Sequence, residues 1–247
     1  MKIQRIMILK SLLPFISLVF LSGCATTQNN YQDPKDPFES YNRTIYKIND
    51  KVDRAVLKPI AQGYKKITPA PIDQGISNFF NNLGDVSNII NNSLQFKFGQ
   101  ASSDLGRLTV NSTIGLLGFL DIATYMKIPK HHEDFGQTLG AWGVNSGPYL
   151  VLPFLGPSTV RDSIGSMVGF FTDPVGYIHY IPARNILQVT RVIDVRADLL
   201  GASKILDNNT LDNYDFLKDA FLQRRENLIY DGLAPSNEDD LGIDFDD

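Results

Sequence analysis

Ile72–Phe98 reads IDQGISNFFNNLGDVSNIINNSLQFKF. Ile76, Phe79, Phe80, Leu83, Val86, Ile90 and Leu94 recur at steps of three and four, the period of one helical face. The other face is mostly asparagine. Similar patterns flank it. Tyr41, Ile45, Ile48, Val52 and Val56 are spaced four, three, four and four apart. Before them, Asp36-Pro37-Phe38-Glu39 offers a capping aspartate, a proline suited to the first helical position and a first-turn acid that can close a capping box. This helix is expected to end near Lys58-Pro59, with Ile60–Pro71 a connector. A third helix is expected from Ser102 or Ser103, and others over Val160–Phe171, Arg184–Leu206 and Asp212–Tyr230, the last capped near Gly232. Sustained period-two alternation is absent, so the chain is expected to be all-α.

Residues 113–176 hold ten of the nineteen glycines and five of the thirteen prolines. At their centre, Gly140–Pro157 (GAWGVNSGPYLVLPFLGP) is apolar and aromatic, yet punctuated too often for one helix. It reads as a hairpin or loop. So apolar a loop is expected to be buried, to meet lipid or to line a greasy passage. The plain alternative is a static hairpin packed into the core.

The N-terminus reads as an export signal. Lys2, Arg5 and Lys10 precede an apolar run, Ser11–Leu21, of 11 residues, too short to span a bilayer. Leu21-Ser22-Gly23-Cys24 follows and resembles a bacterial lipobox, which implies cleavage before Cys24 and acylation of its thiol. Two or three acyl chains at roughly 0.8 kcal/mol per buried CH2 make a durable anchor. Ala25, in place of an aspartate, favours the outer membrane by the same resemblance. The expected organisation is a signal peptide over residues 1–23, a lipidated tether over 24–35, a helical domain over 36–232 and an acidic disordered tail over 233–247.

A mature chain starting at Cys24 keeps 20 basic and 27 acidic residues, a net −7, which argues against a nucleic-acid partner. Cys24 is the sole cysteine, so no disulfide forms within the chain. His131-His132-Glu133-Asp134 invites a metal reading, but adjacent side chains converge poorly on one ion and no H-x-x-x-H supports it, so a polar loop is expected. There is no G-x-S-x-G elbow and no phosphate-binding loop. The chain is read as a non-enzyme without cofactors or metals.

Five segments resemble the MlaA/VacJ family of outer-membrane lipoproteins: DPFESYNR (Asp36–Arg43), LKPIAQGY (Leu57–Tyr64), ISNFFNNL (Ile76–Leu83), NSTIGLLGFLDIA (Asn111–Ala123) and, most specifically, EDFGQTLGAWGVNSGPYLVLPFLGPSTVRD (Glu133–Asp162). The resemblance covers about residues 35–231. Tyr46 departs from it, where the family often has Phe, conserving bulk. It implies a ring-like arrangement of amphipathic helices in the inner leaflet of the outer membrane, on its periplasmic face. It implies a channel that takes mislocalised phospholipids from the outer leaflet and passes them to the soluble periplasmic carrier MlaC, with trimeric porins of the OmpC/OmpF type as partners. A structural envelope lipoprotein without lipid transfer is the alternative. Within that frame Gly140–Pro157 is expected to be a movable wall or gate, with Gly140, Gly143 and Gly147 bending beside Trp142 and Pro153, and Tyr149, Leu150, Leu152 and Phe154 touching acyl chains.

Overall fold

The computed structural model describes residues 33–209 and 212–233. Cys24, the signal peptide, all but the last three tether residues and nearly all of the acidic tail lie outside them. The chain is helical apart from one small hairpin. In order it forms α1 (Glu39–Val52), a π-helical turn (Asp53–Leu57), α2 (Lys58–Ile67), α3 (Ala70–Leu94), α4 (Phe98–Thr113), the short α5 (Ile122–Tyr125), α6 (Phe135–Ala141), β1 (Tyr149–Leu152), β2 (Gly156–Thr159), α7 (Val160–Thr172), a 3₁₀ turn (Pro174–Tyr177), α8 (Ile181–Asp198), α9 (Leu200–Asn209) and α10 (Asn213–Ile229). Among the described residues, no helix is long and apolar enough to cross a membrane.

Several boundaries differ from the sequence expectation. Pro59 does not end the first helix. The Lys58 N–H donates to Asp53 O, a π-type step, and the chain continues as α2, so the expected connector is mostly helical. Asp36 does not cap α1 either. Its carboxylate is 2% exposed, accepts from Asn42 Nδ2 at 2.7 Å and takes a very short bond from the Tyr214 hydroxyl, clasping α1 to α10. Glu39 pairs with Arg43 instead of closing a capping box. Helix α4 starts at Phe98, earlier than expected. Phe96 turns to positive φ, and its N–H and that of Lys97 bond Ser93 O and Asn92 O, a Schellman ending for α3 that releases the chain at once into α4.

The layering is inverted. Helix α3 packs along α4, and α3 turns its asparagines inward: Asn82, Asn88, Asn91 and Asn92 are buried, while Ile72, Ile90 and Leu94 are exposed. Among the described residues nineteen polar or charged side chains are buried against nine apolar ones. The asparagines bond the segments they cover, though Asn82 Oδ1 and Asn92 Oδ1 are buried without a partner among the described residues. Asn82 donates to Ser112 Oγ, Asn88 donates to His131 O and accepts from Glu133 N, Asn92 donates to Asp104, and Asn91 Oδ1 accepts from Thr138 Oγ1. Arg107, 2% exposed, clamps Asp121 and Ile128 O. Tyr149, Val151 and Tyr214 form a small apolar core cluster, with Ile45, Tyr46, Phe221 and Leu222 around them.

The apolar side chains point out. On α7 Ile164, Met167, Phe170 and Phe171 are 51–74% exposed, and on α8 Ile186, Val189 and Val192 form a similar outward row. In the loop after α4, Leu116 and Leu117 both sit at positive φ, a strained choice for leucine, and both are about two-thirds exposed. Such a contiguous apolar exterior needs a non-aqueous neighbour.

Candidate functional site: an amphiphilic passage beside the hairpin

β1 pairs antiparallel with β2 from Tyr149↔Thr159 to Leu152↔Gly156, leaving Pro153, Phe154 and Leu155 as the tip. Phe154 and Gly156 take the positive φ that the turn requires, and Phe154 is 76% exposed. The free edge of β1 is held by helix α1 rather than by a third strand. Asn42 Nδ2 donates to Tyr149 O at 3.0 Å and its Oδ1 accepts from Val151 N at 2.8 Å. Two turns further on, Asn49 Nδ2 donates to Leu152 O and its Oδ1 accepts from Phe154 N, both at 2.9 Å. Two side-chain amides thus mimic a strand edge, and Tyr149 N completes it by donating to Lys35 O.

The structure separates the sequence-selected residues into groups. Tyr149 is no acyl-chain contact. Strand alternation turns it inward, 1% exposed, onto Tyr214 and Phe221, whereas Leu150 and Leu152 face the other side, half-buried. Gly140 is no hinge: it lies in the last turn of α6, and a Cβ there would come within 2.9 Å of Ile229 Cδ1. Gly143 and Gly147 do occupy positive φ. Trp142 is half-exposed at the end of α6 and donates from Nε1 to Leu94 O at 3.1 Å. Gly140, Gly143 and Gly147 border a cavity of about 380 Å³ shared with Arg161, Arg225 and Tyr230, while Pro153 and Phe154 stand at the exposed tip.

Three further cavities share lining residues in sequence. The first, about 410 Å³, lies between Leu83, Leu155 and Phe170. It shares Gly84 and Arg191 with the second, about 230 Å³, which holds Lys130, His132 and Asp194. Asn88 and His132 join that to the third, about 370 Å³, beside Arg224 and Arg225. Each cavity mixes the two chemistries: Leu83, Leu155 and Phe170 stand beside Asp173 and Arg191 under the hairpin tip, and Phe221 and Leu228 beside Arg224 and Arg225 at the other end.

The end at Arg225 is built for rigidity. Arg225 donates to both oxygens of Asp134 at 2.6 and 3.0 Å and to Asp162 at 2.9 Å. Burial pushes the Asp134 carboxyl up, but Arg225 and the Gln137 N–H it caps outweigh that and hold it below the usual range. Gly136 and Gly165 let α6 and α7 touch: a Cβ on Gly165 would sit 2.4 Å from Gly136 N. Asp85, 1% exposed, is pushed by burial up to about 6. His131 Nδ1 lies 2.8 Å from Asp104 Oδ1, so the His-His-Glu-Asp run is a loop fastened into the interior.

A family model described as MlaA lipoprotein matches residues 34–228. The chain belongs to the MlaA family. The intermembrane phospholipid transport system lipoprotein MlaA of Escherichia coli (strain K12) is 32% identical over 228 residues, covering 90% of each chain. The protein of the same name from Haemophilus influenzae is 30% identical over 236 residues, covering 93% of this chain and 94% of its own. A solved structure from work on the structural basis for maintenance of bacterial outer membrane lipid asymmetry matches with a TM-score of 0.69 at 30% identity, over 78% of this chain and 98% of that one. The MlaA family match spans α1 to α10 and so includes both the hairpin and the passage.

Sequence reasoning overlooked Asn42, Asn49, Lys130, Arg191 and Asp194. The two asparagines were detectable as a pair seven residues apart on one helix face. Arg191 and Asp194 are three residues apart on α8, and only the tertiary fold brings Lys130 to them.

Proposed function

We propose that the protein is an outer-membrane lipoprotein that removes mislocalised phospholipids from the outer leaflet through its amphiphilic passage and hands them to a soluble periplasmic carrier of the MlaC type. Residues 1–23 are removed, Cys24 carries the acyl chains, residues 24–35 are the tether, 36–232 the working domain and 233–247 a solvated tail. The helices lie as a ring in the inner leaflet, reached from the periplasmic face, with trimeric porins of the OmpC/OmpF type alongside.

The inverted layering supports this reading: apolar side chains outward, polar ones inward, with neighbouring cavities that share lining residues. A charged headgroup crosses hydrocarbon only at high cost without a polar path. Two chains of about fifteen CH2 released into water cost on the order of 20 kcal/mol at ~0.8 kcal/mol per CH2. A passage that offers polar and apolar contacts together lowers both barriers by placement alone and breaks no bond. The relatives are named as parts of a transport system. In this reading the hairpin tip, with Leu150, Leu152, Pro153 and Phe154, is the movable wall, and Gly143 and Gly147 give it freedom.

The test is the outer-leaflet phospholipid content of cells with the protein, without it, and with Cys24→Ala. A rise on loss that Cys24→Ala fails to correct supports an anchored remover of lipid. An unchanged outer leaflet with a weakened envelope sends the reading to the structural alternative.

A further inference from the structure

The 230 Å³ cavity between α3 and α8 has a charge pattern that lipid transport in general does not demand. Two cations line it. Lys130 is half-buried, makes no hydrogen bond or ion pair among the described residues, and burial lowers its pKa. Asp85 is its nearest opposing carboxylate, and Asn88 already donates to that group. Arg191 spends one nitrogen on Asp173 at 2.8 Å and lays its guanidinium over the Phe80 ring at 5.6 Å. Asp194, 3% exposed, follows Arg191 by about one turn on α8 and lines the same space. It accepts from Tyr64 Oη and Ser77 Oγ, both at 3.0 Å, and from no cation among the described residues. Asp198 lines the rim, bound to Lys65. Burial raises the Asp194 pKa, with Asp198 and Asp73 adding to it, so its ionised form is costly alone and is favoured when a cation sits beside it.

Both signs of charge face one small space. An anionic headgroup alone leaves Asp194 unmatched and is repelled by it. A zwitterion matches both signs. Liquid water occupies about 30 Å³ per molecule, so the cavity holds roughly seven waters, enough for a phosphate ester and a short amine arm. It shares Gly84 and Arg191 with the neighbouring cavity, where Leu83, Leu155 and Phe170 offer apolar contact to the tails of the same molecule.

Resting on the proposed transport role, we infer that this cavity is a station for the headgroup of a zwitterionic aminophospholipid, its phosphate between Lys130 and Arg191 and its ammonium on Asp194.

The test uses the full acylated protein in mild detergent, equilibrated with an equal mixture of phosphatidylethanolamine and phosphatidylglycerol, and counts the bound lipids by mass spectrometry. The wild type is expected to favour phosphatidylethanolamine by about tenfold, the value of one charge-assisted bond gained against one repulsion. Asp194→Asn returns the ratio to that supplied, and Lys130→Gln lowers both lipids alike. Asp198→Asn, at an exposed rim position, lowers the preference about twofold if electrostatic screening of a surface charge sets its share. That variant keeps the test intact should Asp194→Asn misfold. Binding at the supplied ratio, unmoved by these substitutions, overturns the station and leaves lipid transport standing. No bound phospholipid in any form overturns the transport reading itself.

Discussion

Asn49→Ala should loosen the outer half of the hairpin and nothing else. Asn49 makes two hydrogen bonds to β1, from its amide to Leu152 O and to its carbonyl oxygen from Phe154 N. Each contributes about 1 kcal/mol net, so their loss costs roughly 2 kcal/mol of local stability, or about a thirtyfold rise in local opening. The inner half has independent ties: Val151 N is held by Asn42 and Tyr149 N by Lys35 O. Hydrogen exchange read amide by amide should show Phe154 accelerating by about thirtyfold while Tyr149 and Val151 keep their protection. In cells the same substitution should alter lipid flux at normal protein level if the tip is a moving wall. Unchanged exchange at Phe154 would refute the side-chain strand edge. Equal acceleration at all three amides would refute the division of the hairpin into two independently held halves.

Three further outcomes are expected. Asp85 binds its proton more tightly folded than unfolded, so its ionised form costs stability at pH 7 and that cost disappears as pH falls through about 6 toward 4. Asp85→Asn should therefore stabilise the protein at pH 7 by up to about 3 kcal/mol, with the gain closing near pH 4 in paired thermal melts. Gly165→Ala, forced against the Gly136 backbone, should cost about 2–3 kcal/mol and lower Tm by roughly 5–10 °C. Gly106→Ala meets open space within α4 and should raise stability by about 0.5–1 kcal/mol in the same assay.

The helices were legible because their apolar period survives in the sequence, but the direction of that period was not. An apolar stripe marks the side that leaves water and is the same whether protein or lipid receives it. The asparagine face of α3 is the clue, since four buried amides need partners and α4, the loop at His131 and α6 supply them. Asp36 misled because its local spacing suits a cap, while the partner that claims it, Tyr214, lies 178 residues away. Pro59 misled because a π turn absorbs the break one residue earlier. Helix α6 hid among glycines of low helical propensity. It stands on tertiary support, with the Asp134 side chain capping Gln137 N and Gly136 seated against Gly165. Tyr149 was placed on the wrong side because a run read as a hairpin or loop, with no strand bounds fixed, gives no alternation to assign, whereas the strand Tyr149–Leu152 does. The cavity of Lys130, Arg191 and Asp194 draws on a loop and on α8, which no spacing rule connects.

The central claim is that the outward apolar faces lie against acyl chains. Trp142 is the only tryptophan in the chain, so Trp142→Phe gives a silent background for Phe171→Trp on the outer face of α7, where Phe171 is 74% exposed. In vesicles whose acyl chains carry bromine, emission from that position should be quenched by the lipid and shielded from acrylamide in the water. Quenching by acrylamide with no effect of brominated chains would place α7 in solvent and contradict the account.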